Sequence, residues 1–460
     1  MGTAKPLTGH PGFPALPSFP TPLRRFPRLT EHTMADAVVL EGAESTSDLL
    51  HLMPPLAAAG PTVRYVYGGL ERILLNEPDE IRQVVSDPRR EFPALGVLQR
   101  VLGQGLLAAD DLDIWAPHRS VIQRGFSPRQ VTAYAQRIEA VTRRLVESWS
   151  PGRQVSVRDE MSEWSLDNVG DSVFGDDFTT FRDAIRDQFR RTIHQTLAAM
   201  ADIEAGTPKP GAEERLEQTI SELEETVRHI VGRRQNGIVS ARGLIDGMIE
   251  ASQDGDPRYA DPFIRDEVIT MMFAGYDTLA VTASLSLFLL YTHPPVLKRV
   301  RSEAAEARAT GIPVERYMKD LPYIRAVIHE TLRLYPSIPF YHRPALEDRR
   351  IDGEWVKKGT ILTASAWVTQ RNPDYFPDPL TFDPDRWSTE RRAAVVRNSY
   401  FPFGQGVRNC VGTHFSMLAL AIVVAEVAST VNLIFEDEQP AVQANPTMHV
   451  ANAMMATVGH

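Results

Sequence analysis

The sequence predicts a mainly α fold with small β-sheets, gathered into one large domain over residues 40–460. Three observations predict it. Long helical patterns bounded by prolines fill most of the chain after Pro78, β-like alternation is confined to short regions, and no tandem repeat or linker interrupts 40–460. The 460 residues are 43 % hydrophobic and 23 % charged, an ordinary balance for a chain long enough to cover one large core.

Each element follows from local signals. Residues 1–39 carry Pro6, Pro11, Pro14, Pro17, Pro20, Pro22 and Pro27, which forbid a regular helix and favour an extended, poorly ordered arm. The alternation Val63-Arg64-Tyr65-Val66-Tyr67 followed by Arg72-Ile73-Leu74-Leu75 reads as a two-strand unit. Ser127-Pro128 starts a helix with a capping hydroxyl and a proline at its first position. Amphipathic stretches at 179–202 and 213–235 flank the break Gly206-Thr207-Pro208-Lys209-Pro210-Gly211, with Glu213-Glu214 and Arg233-Arg234 complementing the second helix's dipole. From Asp261-Pro262 no proline intervenes until Pro294, so a helix of roughly 46 Å, apolar nearly all round, runs through the middle of the domain. Leu321-Pro322 opens a helix closed by Pro336, residues 350–387 turn β-like, and an apolar helix spans Gly412 to Thr430.

A net charge of −10 argues against broad nucleic-acid binding, which needs a basic face. A single cysteine excludes an intramolecular disulfide and any Cys-rich metal centre, and places the chain in a reducing, cytoplasmic setting. The apolar run Met417–Ala428, broken by Glu426, is shorter than the ~20 residues a span needs, so no membrane span is expected. The N-terminus lacks the basic and apolar blocks of a secretory signal.

The most informative stretch is Phe401-Pro402-Phe403-Gly404-Gln405-Gly406-Val407-Arg408-Asn409-Cys410-Val411-Gly412. Gly406 allows a positive φ and a tight turn, and Gly412 opens the apolar helix, which puts the thiol at a helix N-terminus. That position and the charge of Arg408 favour a thiolate. A glycine-framed thiolate suits a large flat metallocofactor, with Arg408 free to pair with a carboxylate on its edge. A nucleophilic cysteine needs a base, and no His–Asp pairing stands nearby; His414 reads as a surface residue.

Phe403-x-x-Gly406-x-Arg408-x-Cys410-x-Gly412 resembles the haem-binding motif of the cytochrome P450 family at every fixed position. The resemblance implies a haem b whose iron takes Cys410 as axial thiolate, with Phe403, Gly404 and Gly412 shaping the loop around it. Other motifs fall in the family's order from about residue 60 to 460. Glu330-Thr331-Leu332-Arg333 and the Arg386 of Phe382-Asp383-Pro384-Asp385-Arg386-Trp387 are similar to the family's buried salt-bridged network behind the haem. Alone, a Glu-x-x-Arg pair is more often a surface ion pair. Ala274-Gly275-Tyr276-Asp277-Thr278 is similar to the oxygen-activation motif, which implies that Thr278 hydrogen-bonds dioxygen or its water and Asp277 delivers protons. Read blandly, the glycine and threonine mark a close helix crossing. Trp115, Arg119 and Arg343, with Arg408, match the family's propionate donors, while His118 receives no role.

By family position the substrate pocket draws on the segment from Leu95 to Gln104, on Thr270 and Phe273, on Ile338, Pro339 and Phe340, and on Thr447 and Met448. This set is largely apolar, so a hydrophobic small molecule is expected, with the 206–211 break as hinge of a lid. The implied protein is a soluble, bacterial-type, monomeric monooxygenase in a natural-product tailoring step, which inserts one oxygen atom or couples or desaturates. Its electrons come from NAD(P)H through a separate ferredoxin and ferredoxin reductase, with Arg391, Arg392 and Arg397 expected in the docking patch. The alternatives are a peroxide-driven peroxygenase, which needs no Asp277–Thr278 pair, and a non-enzymatic haem-thiolate sensor.

Overall fold

The two-strand unit forms as expected, Thr62–Tyr67 antiparallel to Leu70–Leu75, with burial alternating along the first strand. In the computed structural model this hairpin is the centre of a six-stranded sheet. Ile361–Ser365 runs parallel to Leu70–Leu75 and Phe340–Pro344 antiparallel to Ile361–Ser365; on the other side stand the two-residue strands Val38–Val39 and Arg24–Arg25. The structure describes residues 24–25, 38–39, 46–67, 70–87, 96–204, 211–236, 243–253, 255–259, 262–351, 353–436, 439–445 and 447–459. Most of the proline-rich arm, Leu95 and the break at 206–210 lie outside them.

The helices dominate the rest. The central helix, Phe263–Thr292, is 30 residues long and buried along most of its length. It crosses Val157–Phe174 closely: a Cβ on Gly275 would stand 2.8 Å from Val169 Cγ2, so only glycine fits that contact. The bland reading of Gly275 therefore holds in the structure. Pro322–Leu334 and Thr413–Thr430 pack against the same helix, and Asp176–Glu204 pairs with Ala212–Gln235.

One local expectation needs correction. Ser127 begins Pro128–Glu147 without a side-chain cap hydrogen bond, since proline at the first position already fixes the chain direction. Arg233 and Arg234 stand in the last turn of Ala212–Gln235, as the dipole argument expects, and both reach buried Asp177 at 3.2 and 2.9 Å; Arg234 also binds Asp246 at 2.6 Å. Two helices, Phe263–Thr292 and Thr413–Thr430, are long and apolar enough by length and composition to cross a membrane. Both are mostly buried inside the fold, with 72 % and 67 % of their apolar windows covered by protein, as core helices must be.

Candidate active site

The cysteine loop is built by two glycines. Gly404 (φ +69) and Gly406 (φ +75) both occupy the left-handed region. A Cβ on Gly406 would stand 2.6 Å from Ser86 Cα, so the loop is pressed against backbone there. The turn closes with Gly404 N–H donating to Phe401 O (3.0 Å) and Cys410 N–H to Phe403 O (2.9 Å). Cys410 thus sits just before Thr413–Thr430, and Thr413 Oγ1 donates to its carbonyl at 2.9 Å. Cys410 is exposed and lines a cavity. Burial pushes the thiol pKa up, against the Gly412 N–H, the Thr413 hydroxyl and the Arg119 charge, which lower it. The helix terminus and cation therefore lose to desolvation, and the cation that acts is Arg119, not Arg408 as the sequence order implied.

The cavity offers room for the centres of water-sized spheres over about 350 Å³. Cys410, Phe403, Gly404, Trp115, Arg119, Arg343 and Arg408 share its wall with Ala274, Thr278, Thr270, Phe273, Ile338, Phe340 and Thr447. Gly275, Asp277, Pro339, Met448 and Gly412 do not line it. Met448 is wholly buried and ties its backbone N–H to Ser337 O at 2.8 Å. A Cβ on Gly412 would meet Cys410 Sγ at 3.8 Å, beside the sulfur.

Around Thr278 the central helix is unusually rich in hydroxyl partners. Thr278 Oγ1 donates to Ala274 O (2.7 Å), while Thr282 Oγ1 and Ser337 Oγ donate to Thr278 O at 2.8 and 3.2 Å. Ser165 Oγ donates to Tyr276 O at 2.8 Å. Ala274 is exposed in mid-helix and lines the cavity. Asp277 faces away from that wall, and burial alone lifts its carboxyl to about 6.

Three guanidiniums line the cavity. Arg119 binds Asn409 O and Oδ1 at 2.8 and 3.0 Å, Arg343 binds His342 O at 2.8 Å, and Arg408 binds Ala109 O at 3.0 Å. Arg408 also lies 4.4 Å over the Trp115 ring, so that ring's face is spent on a cation. Desolvation lowers all three pKa values; Arg408 falls to about 10, pushed further by Arg343 and Arg119. Arg119 Nε and Arg343 Nε are buried without a hydrogen-bond partner among the described residues. Partly desolvated cations that repel one another favour anions beside them. A flat macrocyclic metal cofactor with two carboxylates would fit this donor set, held by the Cys410 sulfur and by Arg119, Arg343 and Arg408.

Behind the loop, Glu330, Arg333 and Arg386 come together as expected. Glu330 and Arg333 are fully buried and joined twice, Nε to Oε2 and Nη2 to Oε1, each at 2.8 Å. Arg386 Nε, Asp383 N and Trp387 Nε1 complete the carboxylate at 3.4, 3.0 and 2.9 Å. Arg333 spends its other N–H groups on the carbonyls of Gln370, Pro379 and Thr381. Gln370, which sequence reasoning missed, links this network to the loop. Its amide donates to Leu332 O and Arg333 O, and its Oε1 accepts from Phe401 N at 3.0 Å. Trp387 was also missed, although it directly follows Arg386 in the quoted motif.

The comparisons agree with this geometry. The Cytochrome P450 family profile matches residues 49–454. The chain is 29 % identical to cyclooctat-9-en-7-ol 5-monooxygenase of Streptomyces melanosporofaciens, over 83 % of this chain and 84 % of that protein. It is 26 % identical to cyclooctatin synthase of the same organism, over 82 % of this chain and 84 % of that one. The crystal structure of the cytochrome P450DA haem domain superposes with a TM-score of 0.80 at 24 % identity, over 90 % of this chain and 94 % of that chain, which fixes the fold. A family profile across most of the chain, on a mainly α fold of this type with its cysteine loop opening onto one internal cavity, makes the chain a member of the cytochrome P450 family, an oxidoreductase acting on an organic substrate.

Proposed function

We propose that the protein is a haem-thiolate monooxygenase, with Cys410 as axial ligand of a haem b, acting on a largely apolar small molecule in a natural-product tailoring step. One observation carries this reading: the only cysteine, the guanidiniums of Arg119, Arg343 and Arg408 and the Thr278 notch share one cavity. When bound, the haem supplies reductive activation of dioxygen. Cys410, held as a neutral thiol by burial, loses its proton on coordinating a metal cation. Arg119, Arg343 and Arg408 would pair with the cofactor's carboxylates, and Trp115 holds Arg408 in place.

Reducing dioxygen while inserting one atom into a C–H bond consumes two electrons and two protons. Asp277, at about 6, is poised to release and regain a proton near neutral pH, and the Thr278 hydroxyl stands on the cavity side of the same helix turn. Phe273, Ile338 and Phe340 make the wall apolar, which excludes water and selects an apolar substrate. The names of both Streptomyces relatives carry a cyclooctat- stem, and the first includes "monooxygenase", which supports a substrate with a large apolar skeleton.

Electrons come from a separate ferredoxin and its reductase, docking beside the cysteine loop, where Val407 is 57 % exposed. Of the three arginines expected there, Arg391 is already paired with Asp383 at 2.7 Å, which leaves Arg392 and Arg397 as the exposed cations of the patch. The test is NAD(P)H-dependent oxygen uptake with surrogate partners, scored by incorporation of one labelled oxygen atom from dioxygen. Turnover with hydrogen peroxide alone would instead establish a peroxygenase, and no turnover under either condition a binding protein. Arg392→Glu with Arg397→Glu is expected to slow electron transfer and flatten its salt dependence.

A further inference from the structure

The turn Gly103-Gln104-Gly105, between helices Gly96–Leu102 and Leu112–Gly125, is seated on the first turns of the central helix. Gly103 has φ +54, and a Cβ there would run into the Asp266 carboxylate. A Cβ on Gly105 would collide with Thr270 Oγ1 and stand 2.7 Å from Asp266 O. Both glycines are thus required by close approach to one stretch of helix.

Two adjacent buried carboxylates receive the turn's backbone. Gln104 N–H donates to Asp266 Oδ2 at 2.7 Å, and Leu106 N–H to Glu267 Oε2 at 3.3 Å. Each carboxylate is held by a second group. Arg265 Nη1 lies 2.7 Å from Asp266 Oδ1, and its Nη2 reaches Glu224 at 2.7 Å. His118 Nδ1 lies 2.9 Å from Glu267 Oε1, and its Nε2 lies 2.9 Å from Arg258 O. Asp266, Glu267 and His118 are 2 %, 0 % and 2 % exposed. Burying such groups is costly unless every partner is in place, and charge-assisted bonds to backbone N–H hold a loop in one geometry. The residues this seat delivers, Leu106 and Leu107, line the cavity. His118 also adjoins Arg119 on its helix and lies three residues after Trp115, so the same contact registers the cavity wall against the residues at the cofactor's edge.

We propose that Asp266, Glu267 and His118 are positioning residues that determine substrate selection by fixing the Leu106–Leu107 wall over the cavity. The inference rests on the reading that this cavity holds haem and substrate together.

The test compares two azoles by Soret titration of the holoenzyme: imidazole, which needs little of the wall, and 4-phenylimidazole, whose ring must pack on it. Glu267→Leu, which removes the acceptor for Leu106 N–H at similar volume, is expected to weaken 4-phenylimidazole about tenfold while imidazole changes less than about twofold. Glu267→Gln, which keeps an acceptor oxygen, retains most of the affinity. Leu106→Ala reproduces the loss, and Glu267→Leu added to it costs little more, because both act through one wall. Equal effects on the two azoles, full additivity, or no effect would overturn the proposal. Should Glu267→Leu not fold, amide exchange of Leu106 in the wild type decides: protection like that of the central helix is expected, and loop-rate exchange overturns it. A wild type that gives no Soret shift with either azole removes the cavity reading itself, a failure distinct from a lost selectivity.

Discussion

Glu330→Ala is the perturbation whose size follows most directly from the structure. The Glu330 carboxylate is fully buried and is met by both Arg333 contacts, the Asp383 N–H, the Trp387 indole and Arg386. Truncation leaves two buried guanidiniums facing each other without an anion, a situation that costs about 3–5 kcal/mol. That is a large fraction of the ~5–15 kcal/mol by which folded domains are stable. Arg308→Ala is the control, because the Arg308–Glu426 pair is 2.8 Å long but 41 % and 20 % exposed, and such a pair is worth at most about 1 kcal/mol. The assay is urea unfolding followed by circular dichroism, with the midpoint shift read at unchanged slope. Because Gln370 carries the network to Phe401 N, the Glu330 variant is also expected to retain less haem after desalting, while the Arg308 variant retains all of it. A Glu330→Ala midpoint within error of the Arg308→Ala midpoint would refute the reasoning.

Two further outcomes follow from the site. The folded pKa of Asp277, about 6, lies above its ordinary 3.8, so its favourable contribution is fully present below about pH 4 and is lost as pH rises through 6. Asp277→Asn is therefore expected to be more stable than wild type at pH 7.5, by on the order of 3 kcal/mol, with the difference vanishing near pH 4 and turnover falling. Unfolding midpoints across pH check the first and coupled product formation the second; a destabilised Asn variant at pH 7.5 would contradict the first, and undiminished product formation the second. Gly406→Ala must place a Cβ 2.6 Å from Ser86 Cα in a left-handed conformation that alone costs about 1–2 kcal/mol, so a lower unfolding midpoint and lost haem retention are expected, and wild-type retention would contradict the loop geometry.

What the sequence discloses about this molecule is local or fixed in spacing. Prolines at 128, 294 and 322 mark helix starts, and Gly406 declares a turn that no other residue can make against Ser86. The Glu330–Arg333 pair is legible because three residues on a helix bring the two side chains together. Contacts across hundreds of residues are not legible in the same way. Nothing near Gln370 announces that it bridges a helix end to Phe401, and nothing near Arg119 says that it, and not Arg408, acts on the thiol 291 positions later. The seat at 103–105 did leave a trace, a glycine pair and two adjacent carboxylates near the start of a long, mostly apolar helix, but only the fold shows that they meet. The apolar helices show the converse: their length and hydropathy suit a membrane, and only their burial in the core gives them another solvent.

The central claim, that Cys410 is the thiolate ligand of a haem in this cavity, is tested most directly by the absorption spectrum of the reduced, carbon-monoxide-bound protein beside that of Cys410→Ser. The account predicts a strongly red-shifted Soret band in the wild type that is absent from the folded variant. A wild-type band at the position of an ordinary haem–carbon monoxide complex, or one unchanged by the substitution, would contradict it.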